Sequence, residues 1–228
     1  MILLVMGVLL AALAFLPQIW VRYVMKKHHR QDPAMAGTGG ELAEHLVSRF
    51  RLEGIVVEQT EEGRDHFDPG AKAVRLSPSN YEGRSLTAVA VAAHEVGHAI
   101  QFHRNEAIFE LRKKYIPMAS KFSKFGVALM MSVPVAALVL RSPVAVGTVI
   151  ALSVIMQLLG ALAYLIVLPE EWDASFNKAL PILVDGEYIS PQQYSGVRQV
   201  LKAAALTYFA GALANILNIG RWLMVLRR

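Results

Sequence analysis

Residues 125–168 limit this chain most: over that whole length the only charge is Arg141. Arg141-Ser142-Pro143 divides the segment into apolar runs at 125–140 and 144–168, and reads as a tight turn between them. The second run alone exceeds the ~20 residues that a helix needs to cross a hydrocarbon core of about 30 Å. A buried hairpin in a water-soluble core is not expected to stay apolar on every face for so long, so a membrane hairpin is expected. Residues 2–16 are likewise uncharged and apolar, and the run continues to Val21. No basic residue precedes it and no small-x-small cleavage pattern follows it, so it reads as an uncleaved anchor. Trp20 and Tyr23 stand where an aromatic belt would lie.

Composition narrows the remaining options. Apolar residues make up 54% of the chain and charged residues 18%, which excludes a disordered chain. The net charge of +5 comes with long apolar runs, not with a basic face over a core, so no nucleic-acid partner is expected. With no cysteine, the chain has no disulfide framework, iron–sulfur cluster or cysteine zinc site. Arg22, Lys26, Lys27 and Arg30 follow the first run, and Arg112, Lys113, Lys114, Lys121 and Lys124 precede the second. The positive-inside rule then places residues 22–124 in the cytoplasm. The expected layout is an anchor at 1–24, a water-facing part at 25–124, a membrane hairpin at 125–168 and a helical end at 169–228. Residues 201–226 are apolar but carry Asn215, Asn218 and Arg221, and Arg227-Arg228 follow. A fourth span would export those arginines, so a helix packed on the water-facing part or lying at the membrane surface is expected.

Within the water-facing part, residues 41–52 read as a helix, 55–57 and Ala73–Leu76 as strands, Pro69-Gly70 as a turn, and 85–103 as a long Ala/Val-rich helix. That last helix carries His94-Glu95-Val96-Gly97-His98. Histidines four apart lie one turn above each other, so both imidazoles can reach one ion at about 2.0–2.1 Å. The glutamate between them can take a proton from water at the open position and later give one to a leaving amine. Gly97 is expected to permit close approach at the ion. A catalytic zinc needs a third protein ligand. The candidates are His66, His103, Glu170, Glu171 and Asp173, of which His103, five residues past His98, points off the ligand face.

HEVGHAIQ, AVRLSPSNY, LPEEWDAS and ALTYFAGAL, in this order, resemble the YugP-type membrane zinc metallopeptidases over nearly the whole chain. More distantly, the layout is similar to HtpX-like proteases and CAAX prenyl proteases, in which a membrane hairpin separates the histidine helix from a glutamate helix. The resemblance implies a Zn2+ site built from His94, His98 and Glu171, with Glu95 as general base. It departs from the HtpX-like pattern at Ser175, where those proteins carry an aspartate. The expected fold is mainly α: three transmembrane helices with a small α+β zincin-like cytoplasmic part. The expected activity is a zinc metalloendopeptidase in the inner (cytoplasmic) membrane, acting on membrane or membrane-proximal protein substrates. A non-proteolytic adaptor that keeps the zinc site is the alternative, and it has no use for Glu95. Two further readings each stand beside a structural one: Ala73–Leu76 as an edge strand able to take an extended peptide or as a plain structural strand, and Tyr208 as a hydrogen-bond donor to the oxyanion or as an interfacial or core tyrosine.

Overall fold

The computed structural model describes residues 2–216, without the side chains of residues 2–11, 13, 14 and 214–216. The chain divides into two compact units, one of residues 1–19, 111–167 and 208–228, the other of residues 20–110 and 168–207. Helices dominate: α1 (Ile2–Lys27), α2 (Gly39–Arg49), α3 (Pro78–Tyr81), α4 (Leu86–His103), α5 (Phe109–Leu140), α6 (Pro143–Trp172), α7 (Leu180–Asp185) and α8 (Tyr194–Ile216). A π-helical turn, Asp173–Ala179, joins α6 to α7 without a break. The expectation for residues 201–226 falls partly outside the described residues, because everything past Ile216 does.

In the first unit, α5 and α6 meet at Arg141-Ser142, the expected tip. Among the described residues, α5 and the helical run that starts at Pro143 are long and apolar enough to cross a membrane. Their apolar side chains point outward: Leu138 is 76% exposed and Val144 79%. Small and polar residues hold the pair together. Ser153 Oγ donates to the Gly126 carbonyl (2.7 Å), and Gln157 Nε2 donates to Ser153 Oγ (3.2 Å), with both side chains buried. A Cβ on Gly126 would lie 2.7 Å from Gln157 Cγ and 2.9 Å from the Ser153 carbonyl oxygen. Were this pair to face lipid, whose tails are as apolar as leucine, such close approach and hydrogen bonding would supply the association.

The second unit is built around α4, whose residues from Thr87 to Gln101 are all buried. Ser85 caps it, its Oγ accepting from the Ala88 N–H at 3.1 Å. Helix α2 lays Leu42, Ala43 and Leu46 inward and starts in a capping box: Thr38 Oγ1 accepts from Glu41 N–H, and Glu41 Oε2 accepts from Thr38 N–H. A three-stranded sheet in the order β1-β3-β2 covers another side, with β1 Val56–Gln59, β2 His66–Asp68 and β3 Ala73–Leu76. β1 runs parallel to β3 and β2 antiparallel to it. Arg75 on β3 clasps both neighbours, reaching Glu58 at 2.5 Å and Asp68 at 2.6 Å. Hydrogen bonds from the Ala71 and Gly70 N–H groups, with Arg75 nearby, hold the Asp68 carboxyl below its ordinary range, although burial alone would raise it. Asp68 is thus the turn residue its sequence context implies.

One expectation is corrected here. Ala73–Leu76 is not an edge strand, because it is hydrogen-bonded on both sides. The second neighbour, β2, has only three residues, too few for its polar–apolar–polar order to mark it as a strand in the sequence. Among the described residues, the outer strands are β1 and β2.

For the hairpin, Gly126→Val is expected to force the helices apart and destabilise the protein by about 1–3 kcal/mol. Denaturant titration in detergent micelles checks this, with the exposed Leu138→Val as the control that moves little.

Candidate metal centre

His94 and His98 stand one turn apart on α4, their rings crossing edge-on with centroids 4.6 Å apart. Their Nε2 atoms are 3.2 Å from each other. Glu171, in the last turn of α6, brings Oε2 to 3.3 Å from each of these nitrogens. All three side chains are buried, and their ligand atoms fall within metal-binding reach of one another.

The hydrogen bonds behind the rings decide what the three atoms are. Ser175 Oγ gives its proton to the Leu201 carbonyl (3.1 Å), so toward His94 Nδ1 (2.9 Å) it can only accept. His94 therefore carries its proton on Nδ1. Gln101 Nε2 donates to the Glu170 carbonyl (3.1 Å) and to Asp173 Oδ2 (2.9 Å), which turns Gln101 Oε1 toward His98 Nδ1 at 3.0 Å. Glu170 Oε1 lies 2.7 Å from the same nitrogen. His98 Nδ1 thus faces two acceptors and must be the donor. These tautomers follow from the network. In both rings Nε2 is left with a lone pair, so the 3.2 Å contact between them is not a hydrogen bond.

Two imidazole lone pairs and a carboxylate oxygen converge in a triangle with edges of 3.2, 3.3 and 3.3 Å. With Glu171 ionised and both Nε2 atoms unprotonated, such a triangle is repulsive unless a cation sits against it. Three ligands on a tetrahedron of zinc bonds of about 2.05 Å would be about 3.3 Å apart. The donor set and its spacing fit zinc. Glu95 lies between the two histidines in sequence, is buried, and makes no hydrogen bond or ion pair among the described residues.

Other candidates from the sequence stand elsewhere. His66 Nδ1 bonds the Arg64 carbonyl on β2, and His103 is exposed at the end of α4. Asp173 is engaged by Gln101, Asn177 and Lys178; burial alone would raise its carboxyl, and these donors hold it low instead. Tyr208 belongs to the other unit, stacked on Tyr164 at 5.8 Å with the Arg112 guanidinium 5.6 Å from its ring centre.

Comparisons with known proteins agree with this chemistry. The profile of a family described as "Putative neutral zinc metallopeptidase" matches residues 1–227. The chain belongs to that family. It is also 34% identical, over 214 residues, to the "Putative membrane protease YugP" of Bacillus subtilis (strain 168), covering 93% of this chain and 91% of that protein. No solved structure matches.

Gly97 has a different task from the expected one. A Cβ there would meet the Ala174 carbonyl oxygen at 2.7 Å and the Ala174 carbon atoms at 3.3 Å, so the glycine admits the π-helical backbone, not the ion. The tasks of Gln101 and Glu170 were not evident from sequence. The only signal was their helical offset, three residues past His98 and one before Glu171.

Gly97→Ala is expected to cost about 1–3 kcal/mol through overpacking against rigid backbone. It should also weaken zinc binding, since α6 carries Glu171. Thermal unfolding with and without added zinc checks both effects.

Proposed function

We propose that this family member is a membrane-anchored zinc endopeptidase that hydrolyses peptide bonds of membrane or membrane-proximal proteins, with His94, His98 and Glu171 holding Zn2+. The observation that carries the reading is the buried triangle of two imidazole Nε2 atoms and one carboxylate oxygen. Bound there, zinc would act as a Lewis acid toward water and the scissile carbonyl. Glu95 accepts the proton of the attacking water and returns it to the leaving amine. Its lack of hydrogen-bond and ion-pair partners among the described residues suits a group that must exchange protons with substrate and water. An adaptor that merely retained the metal would have no task for this carboxylate. Tyr208 is proposed as the oxyanion donor on its sequence position alone.

The anchor is α1, a third span beside the two helices of the hairpin. The basic residues flanking the spans support a multi-pass protein with residues 22–124 in the cytoplasm. Glu171 stands three residues past Leu168, where the apolar run ends. At about 1.5 Å per residue this puts the ligand about 5 Å of helix beyond that end. Such placement favours chains leaving the bilayer over the loops of free globular proteins.

Glu95→Gln is expected to retain zinc and lose nearly all turnover, whereas His94→Ala, His98→Ala and Glu171→Ala lose the metal itself. Zinc content of the purified protein and cleavage of a membrane-anchored reporter separate these cases. A Glu95→Gln protein that cleaves like the parent refutes the mechanism, and a parent that neither holds nor gains zinc refutes the reading. Tyr208→Phe is expected to lower kcat by about 10²–10³-fold at unchanged zinc content, as loss of an oxyanion donor does.

A further inference from the structure

Two carboxylates reach this cluster from the end of α6. Glu171 closes the triangle, while its neighbour Glu170 lies behind His98, with Oε1 2.7 Å from Nδ1. The two glutamates therefore bracket one imidazole, each addressing a different ring nitrogen. Successive helical residues diverge by about 100°, so a pair of adjacent side chains can converge on one ring only from its two sides. Glu170 has 0% of its surface exposed. Taking a carboxylate out of water is costly unless it is matched by hydrogen bonds or opposite charge.

The surroundings hold this arrangement in place. Gln101 Oε1 shares the Nδ1 proton of His98 at 3.0 Å, and its amide is oriented by the Glu170 carbonyl and by Asp173. Asp173 is gripped in turn by Asn177 and Lys178, and Lys178 reaches on to Glu106 at 2.7 Å. A chain of polar contacts thus runs from the ligand ring to Glu106, in the loop that follows α4.

Resting on the zinc-peptidase reading above, we propose that Glu170 is a positioning residue of the metal site. Its carboxylate accepts a hydrogen bond from the Nδ1–H of His98, fixes Nε2 as the ligating nitrogen and strengthens that nitrogen as a donor. A charged acceptor holds a ring N–H about twice as strongly as a neutral one. Gln101 keeps the carboxylate and the ring in register.

The test uses the full chain in detergent micelles, comparing the parent with Glu170→Gln and Glu171→Gln. Zinc affinity is read by chelator competition, and the ligand set by the visible absorption of bound Co2+. Glu170→Gln is expected to keep the parent's Co2+ spectrum while binding zinc about 10–100-fold more weakly, as removal of a ligand's orienting partner does. Glu171→Gln is expected to change the spectrum itself. Unchanged zinc affinity in a folded Glu170→Gln protein overturns the proposal, since a purely structural carboxylate would behave that way. So does a lost spectrum in Glu170→Gln with a retained one in Glu171→Gln, which would make Glu170 the ligand. Should Glu170→Gln fail to fold, 15N shifts of the zinc-loaded parent decide. His98 protonated on Nδ1 and metal-bound through Nε2 supports the proposal, and the reverse overturns it. A parent that binds no zinc or Co2+ sinks the peptidase reading instead.

Discussion

The ligand triangle depends on how closely two helical backbones approach at Gly97 and Ala174. A Cβ at Gly97 would fall 2.7 Å from the Ala174 carbonyl oxygen, so only glycine lets the π-helical turn lie flat on α4. Once it does, one face of the α6–π run meets one face of α4. Glu171 then reaches the Nε2 atoms, Ser175 reaches His94 Nδ1, and Glu170 reaches His98 Nδ1. The π-helical winding brings residues five apart into reach, as the Asp173–Lys178 pair shows. Single π turns are uncommon and concentrate at functional sites, where they re-aim side chains that a regular helix would point elsewhere.

Each ring nitrogen has one assignment because its partner has only one way to bond. Ser175 can spend its single proton on the Leu201 carbonyl only if it accepts from His94. Leu201 of α8 is thereby tied, through Ser175, to the protonated Nδ1 of His94 on α4, the nitrogen that faces away from the triangle. The Gln101 amide is likewise oriented by contacts unrelated to the ring. A buried polar network in which every orientation is determined by an outside partner rigidifies its members, and a metal site needs its lone pairs held in advance.

How much of this was legible in sequence follows from how local each signal is. The hairpin and its tip at Arg141-Ser142-Pro143 were readable because an apolar run is a local property. So was α4, whose cap Ser85 and apolar flanks sit beside the histidines. The strand Ala73–Leu76 was recognised, but its place in the sheet was not, since pairing order is set by partners distant in sequence and β2 is too short to carry a pattern. Likewise, HEVGH gives two ligand positions through the helical period alone. The division of labour between Glu170 and Glu171 depends on the rotation of α6 about its axis, which two adjacent identical residues cannot encode. The π turn was invisible, because no residue preference separates it from an α-helix.

The cost of the cluster argues for what it is meant to hold. Around it lie Ala92, Ala93, Val96, Ala174 and Ala179, all essentially inaccessible, so the two glutamates and the two rings have little water to solvate them. Replacing such a group by well-packed apolar residues is often neutral or stabilising, whereas an uncompensated buried charge costs several kcal/mol. A chain stabilised by packing alone would gain nothing from retaining two adjacent carboxylates here. The lone pairs that face each other across 3.2–3.3 Å add repulsion to that cost. One divalent cation would relieve that repulsion by giving the three ligand atoms a common acceptor. On the reading proposed above, ion binding would favour the seating of α6 on α4, and the metal would contribute to the fold as well as to the chemistry.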